Sequence, residues 1–226
     1  MYNLFISQKV IIDPHGQKLD ALEMSYTSYF DSLGIMLHTV SNFTKDLDTY
    51  LSMINYDGLI LSGGGDVNPA CYISKGSKDF NYFPERERTE TCLVKRMVEE
   101  KKPILGICHG MHQLNCFFGG KIIANIHENE KPARRKPKLN HRITIGKPSF
   151  GLSGQYEVNH YHNDGIKKSC LADCFDVLAT DSDFGNIEGC IHKDLPIIAI
   201  QWHPERTSPD PEINKRLICG IFKIKV

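Results

Sequence analysis

Pro103-Ile104-Leu105-Gly106-Ile107-Cys108-His109-Gly110-Met111-His112-Gln113-Leu114-Asn115 is a short apolar run that ends in Gly-x-Cys-x-Gly and continues as a helical segment. This is the nucleophile-elbow pattern with cysteine in place of serine. Glycines two before and two after the cysteine permit a tight strand-to-helix turn with close backbone approach. Such a turn lifts the sulfur above the sheet edge, at a helix N-terminus where unpaired amides and the helix dipole face an anion. A free cysteine is commonly just a small buried apolar residue, but the flanking glycines and the strand-then-helix context favour the reactive reading of Cys108.

Working outward, strand-like and helix-like stretches alternate on the N-terminal side. Leu4–Ile6 and Val10–Ile12 read as a buried strand and its exit. Leu19, Leu22, Tyr26, Tyr29 with Phe30, and Leu33 recur at steps of three and four, which predicts one helix face stopped by Gly34. Ile35–Val40 reads as a second strand, Asp46–Ile54 as a short helix, and Asp57–Leu61 as a third strand running into Gly63-Gly64-Gly65. Arg86–Glu100 carries Leu93, Val94, Met97 and Val98 on one side and charges on the other, as a surface helix does. Strands alternating with helices imply an α/β fold with a mostly parallel sheet covered on both faces. On the C-terminal side, short strands are expected at Arg142–Ile145, Tyr156–Asn159, Phe175–Ala179, Ile187–Ile191 and Ile197–Gln201, and a helix over Glu212–Ile224. No composition shift marks a linker, so residues 1–226 are expected to form a single domain. At this length a core can form without disulfide or metal support.

The 27 Lys plus Arg balance the 27 Asp plus Glu, and the pI is near 7.1. That balance argues against a nucleic-acid face or a polybasic membrane surface. No apolar run approaches the ~20 residues of a membrane span, and the start lacks a signal-peptide pattern. Eight cysteines without a CxxC pair predict reduced thiols and a cytoplasmic location. The basic segment with Lys131, Arg134, Arg135, Lys136 and Lys138 reads as a solvated loop, or less simply as an anion-binding loop near a site. His160, His162, Cys170 and Cys174 fit zinc spacings poorly, so neither metal nor cofactor is expected.

A nucleophilic thiolate needs a proton partner, and that partner an orienter. Gln201-Trp202-His203-Pro204-Glu205 closes an Ile-rich strand. It places His203 at a strand's carboxyl end, where open α/β sheets carry their sites, with the Glu205 carboxylate two residues on. Acyl transfer also needs donors for an oxyanion. Leu61-Ser62-Gly63-Gly64-Gly65-Asp66-Val67-Asn68-Pro69 lacks the Lys-Ser/Thr of a phosphate loop. Beside an elbow cysteine it reads as an oxyanion loop, with the amides of Gly64 and His109 as donors.

These three motifs, in this order, resemble the class I glutamine amidotransferase family and, more narrowly, its γ-glutamyl-γ-aminobutyrate hydrolase branch. Residues 61–72 follow that branch's oxyanion segment. Arg86 and Glu90 match its Arg-Asp-x-x-Glu helix, with Glu87 in place of the Asp. The resemblance spans almost the whole chain and implies a flavodoxin-like sheet. It implies a Cys108-His203-Glu205 triad that cleaves a γ-glutamyl amide through a thioester and releases glutamate. By family position, Arg86, Glu90, His112, Asn159, His160, His162 and Glu188 are candidates for substrate binding. The chain departs from the branch at His109, where Arg is usual, at His112, where Gln is usual, and over residues 158–163. Those changes, with the basic loop, point toward an anionic leaving group such as a γ-glutamyl-CDP-amidate in capsule assembly. The branch's default is γ-glutamyl-γ-aminobutyrate. The rivals are a glutaminase subunit feeding ammonia to a separate synthase, a thiol-stress protein of the intracellular protease and chaperone type, and a silent binding protein. The expected partner is a small molecule, with self-association into a homo-oligomer left open.

Overall fold

Strand β1 (Tyr2–Ser7) places Leu4 and Ile6 on one face and Phe5 on the other, all fully buried. A strand buried on both faces lies inside a sheet covered by helices on both sides. The computed structural model describes residues 2–73, 78–126 and 140–224, so the basic segment 131–138 lies outside the described residues. Its main sheet has nine strands. In spatial order they are β4 (Ile35–Val40), β1, β5 (Gly58–Leu61), β6 (Ile104–Ile107), β11 (Ile197–Ile200), β10 (Ile187–His192), β9 (Phe175–Asp181), β7 (Asn140–Ser149) and β8 (Leu152–Asn159).

The first five are parallel to their neighbours and the pairings from β11 onward are antiparallel. Ranked by chain position, the parallel strands run 2-1-3-4-5, which is the flavodoxin-like order. Helices α2 (Leu47–Ser52), α3 (Pro84–Glu100) and α4 (His109–Phe117) cover one face through Leu51, Leu93, Val94, Met97, Met111 and Leu114. Helices α1 (Met24–Ser32) and α5 (Pro211–Phe222) cover the other through Tyr26, Phe30, Ile213, Leu217 and Ile218.

One early element differs from the periodicity reading. Leu19 belongs to no helix. It lies in β3 (Lys18–Ala21), which pairs antiparallel with β2 (Lys9–Ile12) as a separate hairpin. The Asp13 carboxylate accepts the amides of His15 and Gln17, each at 2.8 Å, and this local turn folds the chain back before a helix can start. Helix α1 therefore begins at Met24.

Candidate active site

Cys108 follows the last residue of β6 with φ 52° and ψ −102°. That backbone conformation costs about 1–3 kcal/mol for a residue with a side chain. Three backbone hydrogen bonds hold it. The Cys108 amide donates to the Ile200 carbonyl of β11 at 2.8 Å, and its own carbonyl accepts from Met111 (3.0 Å) and His112 (3.2 Å) in the first turn of α4. The flanking glycines are demanded by contact. A Cβ on Gly110 would stand 2.3 Å from the Leu61 carbonyl oxygen, and one on Gly106 would stand 2.7 Å from that of Gly110.

His203 comes from the loop after β11. Asn159, at the end of β8, clamps its backbone. The Asn159 Oδ1 accepts the His203 amide at 2.9 Å, and its Nδ2 donates to the His203 carbonyl at 2.8 Å and to that of Thr207 at 3.1 Å. The ring's Nδ1 lies 2.6 Å from the Glu205 Oε1. The Cys108 sulfur is close enough to the ring to favour its charged form. Burial disfavours charge on this ring, but the Cys108 sulfur and the Glu205 carboxylate outweigh it and raise the His203 pKa to about 9. The structure thus brings together Cys108, His203 and Glu205, although the cysteine lies far from the other two in the chain.

The glycine loop leaves the carboxyl end of β5 beside them. Gly64 and Gly65 adopt φ +89° and +75°. Arg86 donates to the carbonyls of Ser62 (2.8 Å) and Gly64, and its Nε pairs with Glu90 at 2.8 Å. Glu90 also accepts from the Ser7 hydroxyl (2.7 Å) and faces the His109 Nε2 at 3.0 Å. Burial opposes ionisation of Glu90, yet Arg86 and His109 hold its pKa down at about 2. Arg86 and Glu90 are 4% and 0% exposed and sit beneath the loop. Neither lines the cavity over Cys108, so their contacts are those of a brace for the loop.

That cavity, of about 250 Å³, is walled by Gly64, Gly65, Asp66, Lys78, Asn81, Cys108, His109, His112 and residues 161–164. His112 lines it, with its Nε2 2.8 Å from the Gln201 Oε1, and burial lowers its pKa to about 4. His162 lines it too. Its Nδ1 donates to the Asp164 carbonyl at 2.8 Å, and its Nε2 is 3.8 Å from Glu188. His160 and Glu188 are buried behind the wall, with the His160 ring 4.2 Å from that of His162. Asn159 acts on the His203 backbone and does not line the cavity.

Cys170 and Cys174 pack in the apolar layer on the α3–α4 side, apart from His160 and His162. Among the described residues, His141, Asp181 and Glu188 bring donor atoms within 4.8 Å of one another; each of the three has other partners.

Several residues at the site gave no motif in the sequence. Tyr26 reads only as the apolar face of α1, yet its buried hydroxyl accepts the Gly63 amide at 2.8 Å, and its pKa is raised by burial and by the neighbouring Glu205 carboxylate. Lys78 and Asp164 carry no signal in the sequence, and Asp66 stands there only as part of the glycine loop. Only their spacing in three dimensions marks them.

A half-buried cysteine beside a buried histidine-glutamate pair at the carboxyl edge of a flavodoxin-like sheet is an arrangement able to support thiol-dependent acyl transfer. The chain belongs to the Peptidase C26 family, whose pattern it matches over residues 13–205. It is 29% identical over 213 residues to the glutamine amidotransferase-like protein YvdE of Lactococcus lactis, covering 88% of this chain and 87% of that one. It is 28% identical over 218 residues to a subunit of the glutamine-hydrolysing GMP synthase of Methanopyrus kandleri, covering 93% and 98%. The structure of a GMP synthase subunit from Thermoplasma acidophilum superposes with a TM-score of 0.66 at 23% identity, over 99% of this chain and 94% of that one, and shares the fold. The chain is thus a glutamine amidotransferase-like hydrolase of the C26 family. Among the described residues, no helix is long and apolar enough to cross a membrane.

Proposed function

We propose that the protein hydrolyses a γ-glutamyl amide through a thioester on Cys108. The observation that carries this reading is the elbow cysteine, held at positive φ at the head of α4, beside the imidazole that Glu205 orients. The Cys108 sulfur attacks the side-chain carbonyl carbon. The amides of Gly64 and His109 hold the oxyanion. His203 delivers its proton to the departing nitrogen, then takes one from the water that opens the thioester, and glutamate leaves. No cofactor takes part. The whole chain acts as one class I glutamine amidotransferase-like domain on a small molecule.

The leaving group is an amine or amidate. γ-Glutamyl-γ-aminobutyrate is the branch default. The departures from the branch at 109, 112 and 158–163 motivate a larger anionic group such as γ-glutamyl-CDP-amidate as the alternative. Glutamate release across a panel of γ-glutamyl amides decides between them. A phosphoramidate turned over no faster than γ-glutamyl-γ-aminobutyrate removes the anionic reading. Likeness to a component of a glutamine-hydrolysing synthase supports a second reading, an ammonia-supplying glutaminase. Glutamine as the best substrate of the panel would select it.

Trapping and mass spectrometry test the chemistry itself. Acid quench during turnover should leave a glutamyl group on Cys108. A Cys108→Ala variant that still releases glutamate overturns the proposal.

A further inference from the structure

Resting on the γ-glutamyl reading above, the site must recognise the one part common to all such substrates, a carbon bearing both an ammonium and a carboxylate. Recognition of that pair needs charged partners facing the cavity. Arg86 and Glu90 are consumed beneath the loop and do not face it. Among the described residues, the Lys, Arg, Asp and Glu side chains that line the cavity are Lys78, Asp66 and Asp164.

These three form a built group. The Lys78 Nζ contacts the Asp66 Oδ1 at 2.7 Å and also pairs with the Asp164 Oδ2. Its side chain is 13% exposed, and its ammonium lies 5.3 Å from the ring centre of Tyr72 and 5.5 Å from that of Phe80. Asp164 is fixed from two other sides, by the Tyr72 hydroxyl at 2.8 Å and the Asn125 amide at 3.0 Å. Asp66 is fixed by the Asn81 amide at 2.9 Å.

An ammonium carries three N–H donors. Two meet carboxylates and leave one for a ligand. Two carboxylates against one ammonium leave acceptor oxygens in excess of donors, and a substrate ammonium can meet them. We infer that Lys78 binds the α-carboxylate of the glutamyl group while Asp66 and Asp164 bind its α-ammonium, so that this trio sets specificity for the acyl half of the substrate.

Substrate pruning combined with substitution tests the assignment. Three p-nitroanilides share the scissile bond: γ-glutamyl, glutaryl (no α-ammonium) and 4-aminobutanoyl (no α-carboxylate). The Lys78→Met variant should lose about 10- to 100-fold in kcat/KM on the first two and none on the third, because only the first two present the carboxylate it binds. Lys78→Arg should recover part of the loss. Undiminished cleavage of the 4-aminobutanoyl compound also reports an intact fold. An equal loss on all three, or no loss on the γ-glutamyl compound, overturns the assignment.

Failure of the wild-type protein to cleave any of the three counts against the hydrolase reading instead. Calorimetry with L-glutamate then decides the assignment separately. Binding to the wild type that is weakened in Lys78→Met supports it, and no binding, or equal binding, sinks it.

Discussion

At the scale of single residues, the site is a set of groups held where they would not rest alone. Cys108 keeps φ at 52° because a strand, a helix turn and the glycines beside it leave no other path. Gly110→Ala should therefore destabilise strongly, since its new methyl meets the Leu61 backbone at 2.3 Å and cannot push it aside. Thermal melting checks this, and an unchanged melting temperature contradicts the packing. His203 yields a pH prediction. Its folded pKa, near 9, is above the ordinary histidine value of 6.5. Its contribution to stability is thus complete below about pH 6.5 and fades as pH rises through 9. The wild type should melt progressively lower from about pH 7 to 9, and His203→Gln should flatten that part of the profile. In turnover, His203→Ala should cost several orders of magnitude, because triad members act as a unit. Glu205→Gln should cost less, because Glu205 only orients and stabilises the ring. Steady-state kinetics with a γ-glutamyl substrate compare the two.

At the scale of elements, the loop after β5 and the start of α4 are joined from below by α3. Arg86 ties the carbonyls of Ser62 and Gly64, and Glu90 links Arg86, Ser7 and His109. Removing one partner of a buried ion pair leaves an uncompensated charge at a cost of about 3–5 kcal/mol. Glu90→Gln should accordingly lower the melting temperature by on the order of 10 °C for a chain of this size. It should also lower kcat more than it raises KM, because the loop bearing the Gly64 amide is displaced while the rest of the wall, Lys78, His112 and residues 161–164, persists. A rise in KM alone would place Glu90 against substrate instead. The elements themselves were largely legible. The strands at 35–40, 58–61 and 104–107 and the helix over 84–100 lie close to their sequence positions because apolar period and breaker residues agree there. Leu19 was misleading because an Asp-Pro-x-Gly turn, a purely local device, competes successfully with a weak helical period.

At the scale of the whole molecule, stability should follow the layers. The parallel strands β1, β5, β6 and β11 are buried on both faces, whereas the β2–β3 hairpin leaves Ile12 and Leu19 58% and 42% exposed. Hydrogen exchange should be slowest in those four strands and fast in the hairpin. Slow exchange in the hairpin would mean that another surface covers it.

The motifs at 61–69, 103–115 and 201–205 were readable in one dimension because each is a local backbone problem: a glycine loop, a sharp bend, a strand end. Sequence alone therefore determined the fold class and singled out Cys108, His203 and Glu205 as the candidates, which the fold places side by side. It could not say what Arg86, Glu90, Tyr26 or Lys78 touch. Those partners lie mostly far away in the chain, and only the packing of α1, α3 and the loops over the sheet's carboxyl edge brings them within hydrogen-bond reach. Tertiary structure alone decided which charges were buried as braces and which were left facing the cavity, because burial and distance, not residue type, set what a charged group can do.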